Sequence, residues 1–173
     1  MVRITPLAPA NEPAELKPVF DQLRATRGSV PGMYRTLAHQ PAILAAHRAY
    51  FHAALDTGVL PRPFKEKIAW RTARLCGSGY SSASHHRYAL QHGVAEAELA
   101  AIDRGDYSAL PPREAVALRF TEAMIKGRGT VDDAVYAALA KHFNPAEIVE
   151  IAALVGIMEL ASTLGAVFKL AAD

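Results

Sequence analysis

The sequence predicts an all-α fold, a single-domain helical bundle of about seven or eight helices. Three observations carry this. Alanine, leucine and glutamate are frequent and no long alternating runs occur. Apolar residues recur at spacings of three and four in one segment after another. Prolines and glycines fall where helices start and stop. At 173 residues, 51% of them hydrophobic and 21% charged, the chain can build one domain with a real core.

Residues 1–12 read as irregular, because Pro6, Pro9 and Pro13 keep the backbone extended. A first helix is expected over 14–26, with Leu16, Val19, Phe20 and Leu23 on one face. Gly28 and Pro31-Gly32 end it, and a short helix follows at 33–39. From Pro41 to Asp56 the period is again helical, through Ile43, Leu44, His47, Tyr50, Phe51 and Leu55, and Gly58 closes the element. Beyond the central stretch, short helix 96–103 precedes a helix opened by Pro111-Pro112 and running to about Lys126. Thr130 with Asp133 reads as a variant capping box for a helix over 131–142. Asn144, Pro145 and Glu147 form a stronger start, with cap, first-turn proline and acid in register. The last helix then runs to about Leu170, and its apolar surface needs other helices or another subunit to cover it.

The chain is organised around Pro63–Gly93, which reads as helix, tight glycine turn, helix. Glu66, Ala69, Trp70 and Ala73 share a stripe on the first helix, while Lys65, Lys67, Arg71 and Arg74 look solvent-facing or interfacial. Gly77 and Gly79 permit the turn. Ser81, His85, Tyr88 and His92 form one stripe of the second helix, with Ser78 just before it. An acid, two hydroxyls and an imidazole thus meet at one corner.

The bulk numbers exclude several classes. A net charge of +2 with no basic patch argues against nucleic acid. The lone Cys76 makes no intrachain disulfide, which fits a reducing cytoplasm. The first residues lack a signal-peptide core. The apolar run 151–168 carries Glu159, Ser162 and Thr163, so it reads as a buried core helix rather than a membrane span.

The central stretch resembles the carboxymuconolactone decarboxylase / alkylhydroperoxidase D-like superfamily. Redox members carry a Glu, a Cys-x-x-Cys twelve residues on, and a His four after the second Cys; Glu66, Ser78, Ser81 and His85 keep that spacing, with Tyr80 between the serines. The flanks LPRPFKEKIAWRTARLCGSGY, HHRYALQHGVAEAELAAI and LAHQPAILAAHRAYF agree as well. The resemblance covers roughly 33–170, leaving 1–32 as an N-terminal extension of a single 1–173 domain. It implies a homo-oligomer, trimer or hexamer, and a small-molecule substrate with no cofactor. Both redox cysteines are serine here. A serine cannot form a disulfide, so cysteine-dependent peroxidase activity is not expected. The decarboxylase branch places Glu where Ser81 stands, so that pattern is incomplete too.

Each candidate has two readings. Glu66 is a general acid/base with a pKa raised by apolar neighbours, or the ion-pair partner of an Arg or Lys on an adjacent helix. His85 exchanges protons, or is a packed core histidine. Ser78 and Ser81 donate hydrogen bonds to a substrate carbonyl or carboxylate, or one caps the helix. A Ser81–His85 nucleophile lacks an evident elbow or third acid. Tyr80 is a pocket donor or a packing residue. Metal binding by His85, His86, Glu66 and His92, with His47 and His52 near, lacks a ligand motif. Three readings follow: acid/base, non-redox chemistry on a small carbonyl or carboxylate compound, an alkylhydroperoxidase-like protein that has lost its thiols, or a purely structural oligomeric module.

Overall fold

A computed structural model describes residues 1–171. Among them are nine α-helices and no strand. The all-α expectation holds, with the short helices bringing the number above the expected range. The helices are α1 (Lys17–Arg27), α2 (Gly32–Leu37), α3 (Pro41–Phe51), α4 (Arg62–Leu75), α5 (Gly79–Gln91), α6 (Glu96–Asp103), α7 (Pro112–Lys126), α8 (Asp133–Ala140) and α9 (Pro145–Phe168). Helix α3 runs into a π-helical turn, His52–Asp56, and 3₁₀ turns precede α1.

Helix α4 is the axis of the bundle and packs on α5, α6, α7 and α9. That position overturns one expectation. Lys65, Lys67 and Arg71 are buried, and only Arg74 reaches solvent. Because α4 is covered on every side, each buried cation meets an acid from a surrounding helix. Lys65 Nζ sits 2.8 Å from Glu150 of α9. Lys67 pairs with Glu114 of α7 at 2.6 Å and with Glu98 of α6. Arg71 pairs with Glu122 of α7 and donates to the Asp103 carbonyl at 2.9 Å.

Between these ion pairs lies the main apolar core, with Ile68, Leu99, Leu118, Ile151 and Leu154 fully buried. A second cluster joins Leu16, Phe20 and Leu23 of the N-terminal segment to Met33, Tyr34, Leu44 and Tyr80. The N-terminal extension is therefore packed onto the bundle, and it brings the end of α1 beside α3 and α5.

Helix α9 starts as expected: the Asn144 side chain accepts from the Glu147 amide and the Glu147 side chain accepts from the Asn144 amide. It is long and apolar enough to cross a membrane by length and composition. Here one face packs on α4, α5 and α7, while Val149, Leu160 and Val167 stay exposed. The start of α8 differs from expectation. Its cap is Asp132, whose carboxylate accepts from the Ala134 amide at 2.7 Å. Thr130 instead closes the preceding turn, its amide bonded to the Gly127 carbonyl.

Candidate active site

Helices α4 and α5 form a hairpin across Cys76-Gly77-Ser78, with Gly77 at φ +64°, a conformation that suits glycine. The tight turn sets the two helices face to face and brings Glu66 against His85. His85 Nδ1 lies 2.7 Å from Glu66 Oε2, with Glu66 0% and His85 5% exposed. The other carboxylate oxygen accepts from Arg62 Nε at 2.7 Å. Arg62 Nη1 reaches Asp56 Oδ1 at 2.8 Å. A chain of charge-assisted contacts thus runs Asp56–Arg62–Glu66–His85.

The electrostatics correct the expectation for Glu66. Burial pushes its carboxyl up, but His85 and Arg62 outweigh burial and hold it below the usual carboxylate range. Glu66 is therefore ionised and can only accept. Nδ1–H of His85 therefore donates to it. The acid orients the imidazole rather than supplying a proton itself. Glu66 does have a cation partner, but it is Arg62, one turn away on the same helix, and not a residue of an adjacent helix as expected.

A small cavity of about 40 Å³ opens beside His85, lined also by Ser81, Tyr80, Tyr34, Phe51 and Met158. Its volume accommodates about three waters at roughly 10–15 Å³ each. Ser81 and His85 share its wall, one turn apart on α5. No hydrogen bond joins the Ser81 hydroxyl to the His85 ring among the described residues. Tyr80 also faces the cavity, and its hydroxyl accepts from the Met33 amide at 3.2 Å, tying α5 to α2. Ser78 is the N-cap of α5, its Oγ accepting from the Ser81 amide at 3.2 Å. It lies beside a different depression, near Gly165 and Lys169. Of the five proposed site residues, Glu66, His85, Ser81 and Tyr80 meet at one place, and Ser78 supports them from the turn.

His86 points away and pairs with Glu96 at 3.0 Å. Cys76 is half-buried, and burial together with Glu159 pushes its thiol up, against a contact from Ser162. It is not an activated nucleophile. Among the described residues, no group of three or more His, Cys, Asp and Glu side chains is arranged to hold a metal ion.

The sequence reading missed Arg62, Asp56, Arg27 and the burial of His47. Arg62 was findable, since it stands four residues before Glu66 on a helix. Asp56 stands four after His52, and their side chains meet at 3.1 Å. Arg27 carried no local signal, because it reaches the site only through tertiary packing of α1.

The description "carboxymuconolactone decarboxylase family" matches residues 41–123, from the start of α3 into α7. No curated protein matches the chain. Among solved structures, a peroxidase-related alkylhydroperoxidase core protein from Ralstonia eutropha JMP134 superposes with a TM-score of 0.89 at 22% identity, over 99% of this chain and 92% of that one. A peroxidase-related protein from Silicibacter sp. TM1040 gives 0.88 at 20% identity, over 99% and 92%. The debrominase Bmp8, in complex with 2,3,4-tribromopyrrole, gives 0.87 at 22% identity, over 98% and 91%.

Proposed function

We propose, starting from the match of residues 41–123 to the carboxymuconolactone decarboxylase family and from the alkylhydroperoxidase-like fold, that this chain is an enzyme performing cofactor-independent acid/base chemistry on a small carbonyl or carboxylate substrate. One observation carries the reading: a buried, ionised Glu66 holds His85 at 2.7 Å, and His85 lines a cavity with Ser81. His85 Nε2 takes a proton from carbon next to a carbonyl, and the electron pair moves onto the carbonyl oxygen. The Ser81 hydroxyl donates to that oxygen. The imidazolium, its charge balanced by Glu66, returns the proton to another carbon or to a departing oxygen. Arg62, bonded to the second carboxylate oxygen, holds Glu66 ionised throughout.

The test is a panel of β-keto acids, unsaturated lactone acids and enones, followed by mass and by solvent deuterium uptake. Glu66→Gln and His85→Gln should each lower turnover by about 10²–10⁴-fold. An inert panel, with Glu66→Gln indistinguishable from its parent, would sink the proposal.

A second reading has its own observation. Ser78 and Ser81 stand three residues apart at the start of α5, where Ser78 Oγ accepts from the Ser81 amide, beside an intact Glu66–His85 pair. On this reading the chain is an alkylhydroperoxidase-like protein that binds without turning over. A Ser78→Cys/Ser81→Cys variant should then reduce peroxide with a dithiol, while the parent processes nothing in the panel. A peroxide-inert but folded double variant removes this reading. The same fold hosts pyrrole dehalogenation in Bmp8, so the scaffold admits small planar substrates.

A further inference from the structure

The charges around the cavity do not balance. Arg27, Arg48 and Arg62 converge on one carboxylate, Asp56. Arg48 Nη1 and Arg62 Nη1 each reach it at 2.8 Å, and His52 Nδ1 at 3.1 Å. Arg27 stops at 3.8 Å, beyond hydrogen-bond range. The second carboxylate, Glu66, is shared by Arg62 and His85. Three guanidinium groups therefore face two acids, and Arg27 is the one that lies farthest from either.

Arg27 is nonetheless enclosed, its side chain only 10% exposed. Its guanidinium carbon lies 5.6 Å from the Phe51 ring centroid and 4.9 Å from that of Tyr88. Those ring faces offset part of the burial cost, but they do not neutralise the charge. The side chain stands at a boundary. On one side is the inner cavity with His85; on the other is a cleft of about 340 Å³ open to solvent, lined by Arg48, Asp56, Arg62 and His92. Asp56 is the one carboxylate lining either space among the described residues.

A second group in the cavity wall also wants a partner. His47 is 7% exposed, and neither ring nitrogen has a hydrogen-bond partner among the described residues. Burial, with Arg48 beside it, keeps its imidazole neutral. It stacks on Phe51 at 6.0 Å and meets Tyr34 edge-on at 5.9 Å. The space between Arg27 and His85 is thus bounded by rings, with the Tyr88 ring 6.1 Å from that of His85.

We propose that Arg27 is the anion-recognition residue of this site, binding the carboxylate of a small, flat organic acid whose other end lies between His47, Ser81 and His85. The inference rests on the acid/base reading and narrows its substrate class to acids. The carboxylate lies at the boundary, where it completes the ion pair that Asp56 leaves open. The part inside the cavity is a few non-hydrogen atoms, with a hydrogen-bonding group toward His47. The anion-binding residue comes from α1, outside the 41–123 family match, so an N-terminal extension supplies the selectivity.

The experiment is equilibrium binding in chloride-free buffer, by calorimetry and NMR titration, of three acids against their amides: propanoate and propanamide, 2-furoate and 2-furamide, benzoate and benzamide. For the parent, at least one acid should bind about tenfold or more tightly than its amide, as expected for a hydrogen bond between charged groups. Arg27→Gln should bring that ratio near one without weakening the amide, and Arg27→Lys should keep part of it. No acid bound, no preference in the parent, or a preference undiminished in both variants overturns the proposal. Turnover is read separately on the panel above. Anion preference without turnover leaves Arg27 its role and removes the acid/base reading. Turnover without anion preference does the reverse.

Discussion

At the scale of single residues, the two serines of the motif have parted company. Ser78 Oγ accepts an amide at the start of α5 and lines no part of the inner cavity, whereas Ser81 lines the cavity beside His85. Ser78→Ala should therefore cost about 1 kcal/mol of stability, the usual loss for a cap, with kcat unchanged in the acid/base assay. Ser81→Ala should leave the melting temperature within a degree or two and lower kcat by about a hundredfold, the loss of one donor to a developing oxyanion. The reverse pattern would move the oxyanion contact to the turn. The spacing of Glu66, Ser81 and His85 was legible because two helices and a short turn leave few ways to arrange three such residues. The charge state of Glu66 was not. It depends on Arg62 and His85 outweighing burial, and apolar neighbours along one helix face suggest the opposite sign.

At the scale of elements, α4 shows why a helical pattern can mislead about which face is wet. Lys65, Lys67 and Arg71 look like a polar face, yet α9, α6 and α7 each lend an acid that lets the helix be buried all round. Those acids lie dozens of residues away in sequence, so no window on α4 reveals them. Glu150 is the most instructive. Its carboxylate takes the Lys65 ammonium and also the Val59 amide at 2.8 Å, fastening the loop before α4 to α9. The loop turns at Gly58, with φ +93°, and a Cβ there would overlap the Glu150 carboxylate. Glu150→Ala should cost about 3–5 kcal/mol by leaving a buried ammonium without its acid. Gly58→Ala should cost about 2 kcal/mol or more, from its backbone conformation and from displacing that carboxylate. Because both act on one contact, urea unfolding of the double variant should show less than the sum. Strict additivity would mean that Gly58 acts through its backbone alone.

At the scale of the whole molecule, the α-helical class followed from periodicity and punctuation, since every long helix begins at a proline or a capping side chain that the sequence displays. The packing of the N-terminal extension onto α5 was not visible, because Phe20 and Leu23 carry an amphipathic pattern that names no partner. What the assembled fold adds is a set of acids held ionised by neighbours. Burial pushes Asp56 up, but His52, Arg48, Arg27 and Arg62 bring it below its ordinary value of 3.8. Glu66 is lowered from 4.5 by His85 and Arg62 against burial. Glu122 falls to about 2, where Lys126, Tyr107 and Arg71 outweigh burial. Each folded-state pKa lies below its unfolded value, so the unfolded chain binds protons first as pH drops. The stability they contribute is complete above about pH 4.5 and is lost as pH falls toward 2. Protonating Asp56 also leaves Arg27, Arg48 and Arg62 facing one another, which steepens the loss. The denaturation midpoint should therefore stay nearly level from pH 8 to 5 and then drop sharply. Glu122→Gln should flatten that drop between about pH 4.5 and 2, the interval between the ordinary and the folded value of Glu122. A midpoint unchanged between pH 7 and 3 would show that these carboxylates are not held ionised, and the orientation of His85 by an ionised Glu66 would fall with it.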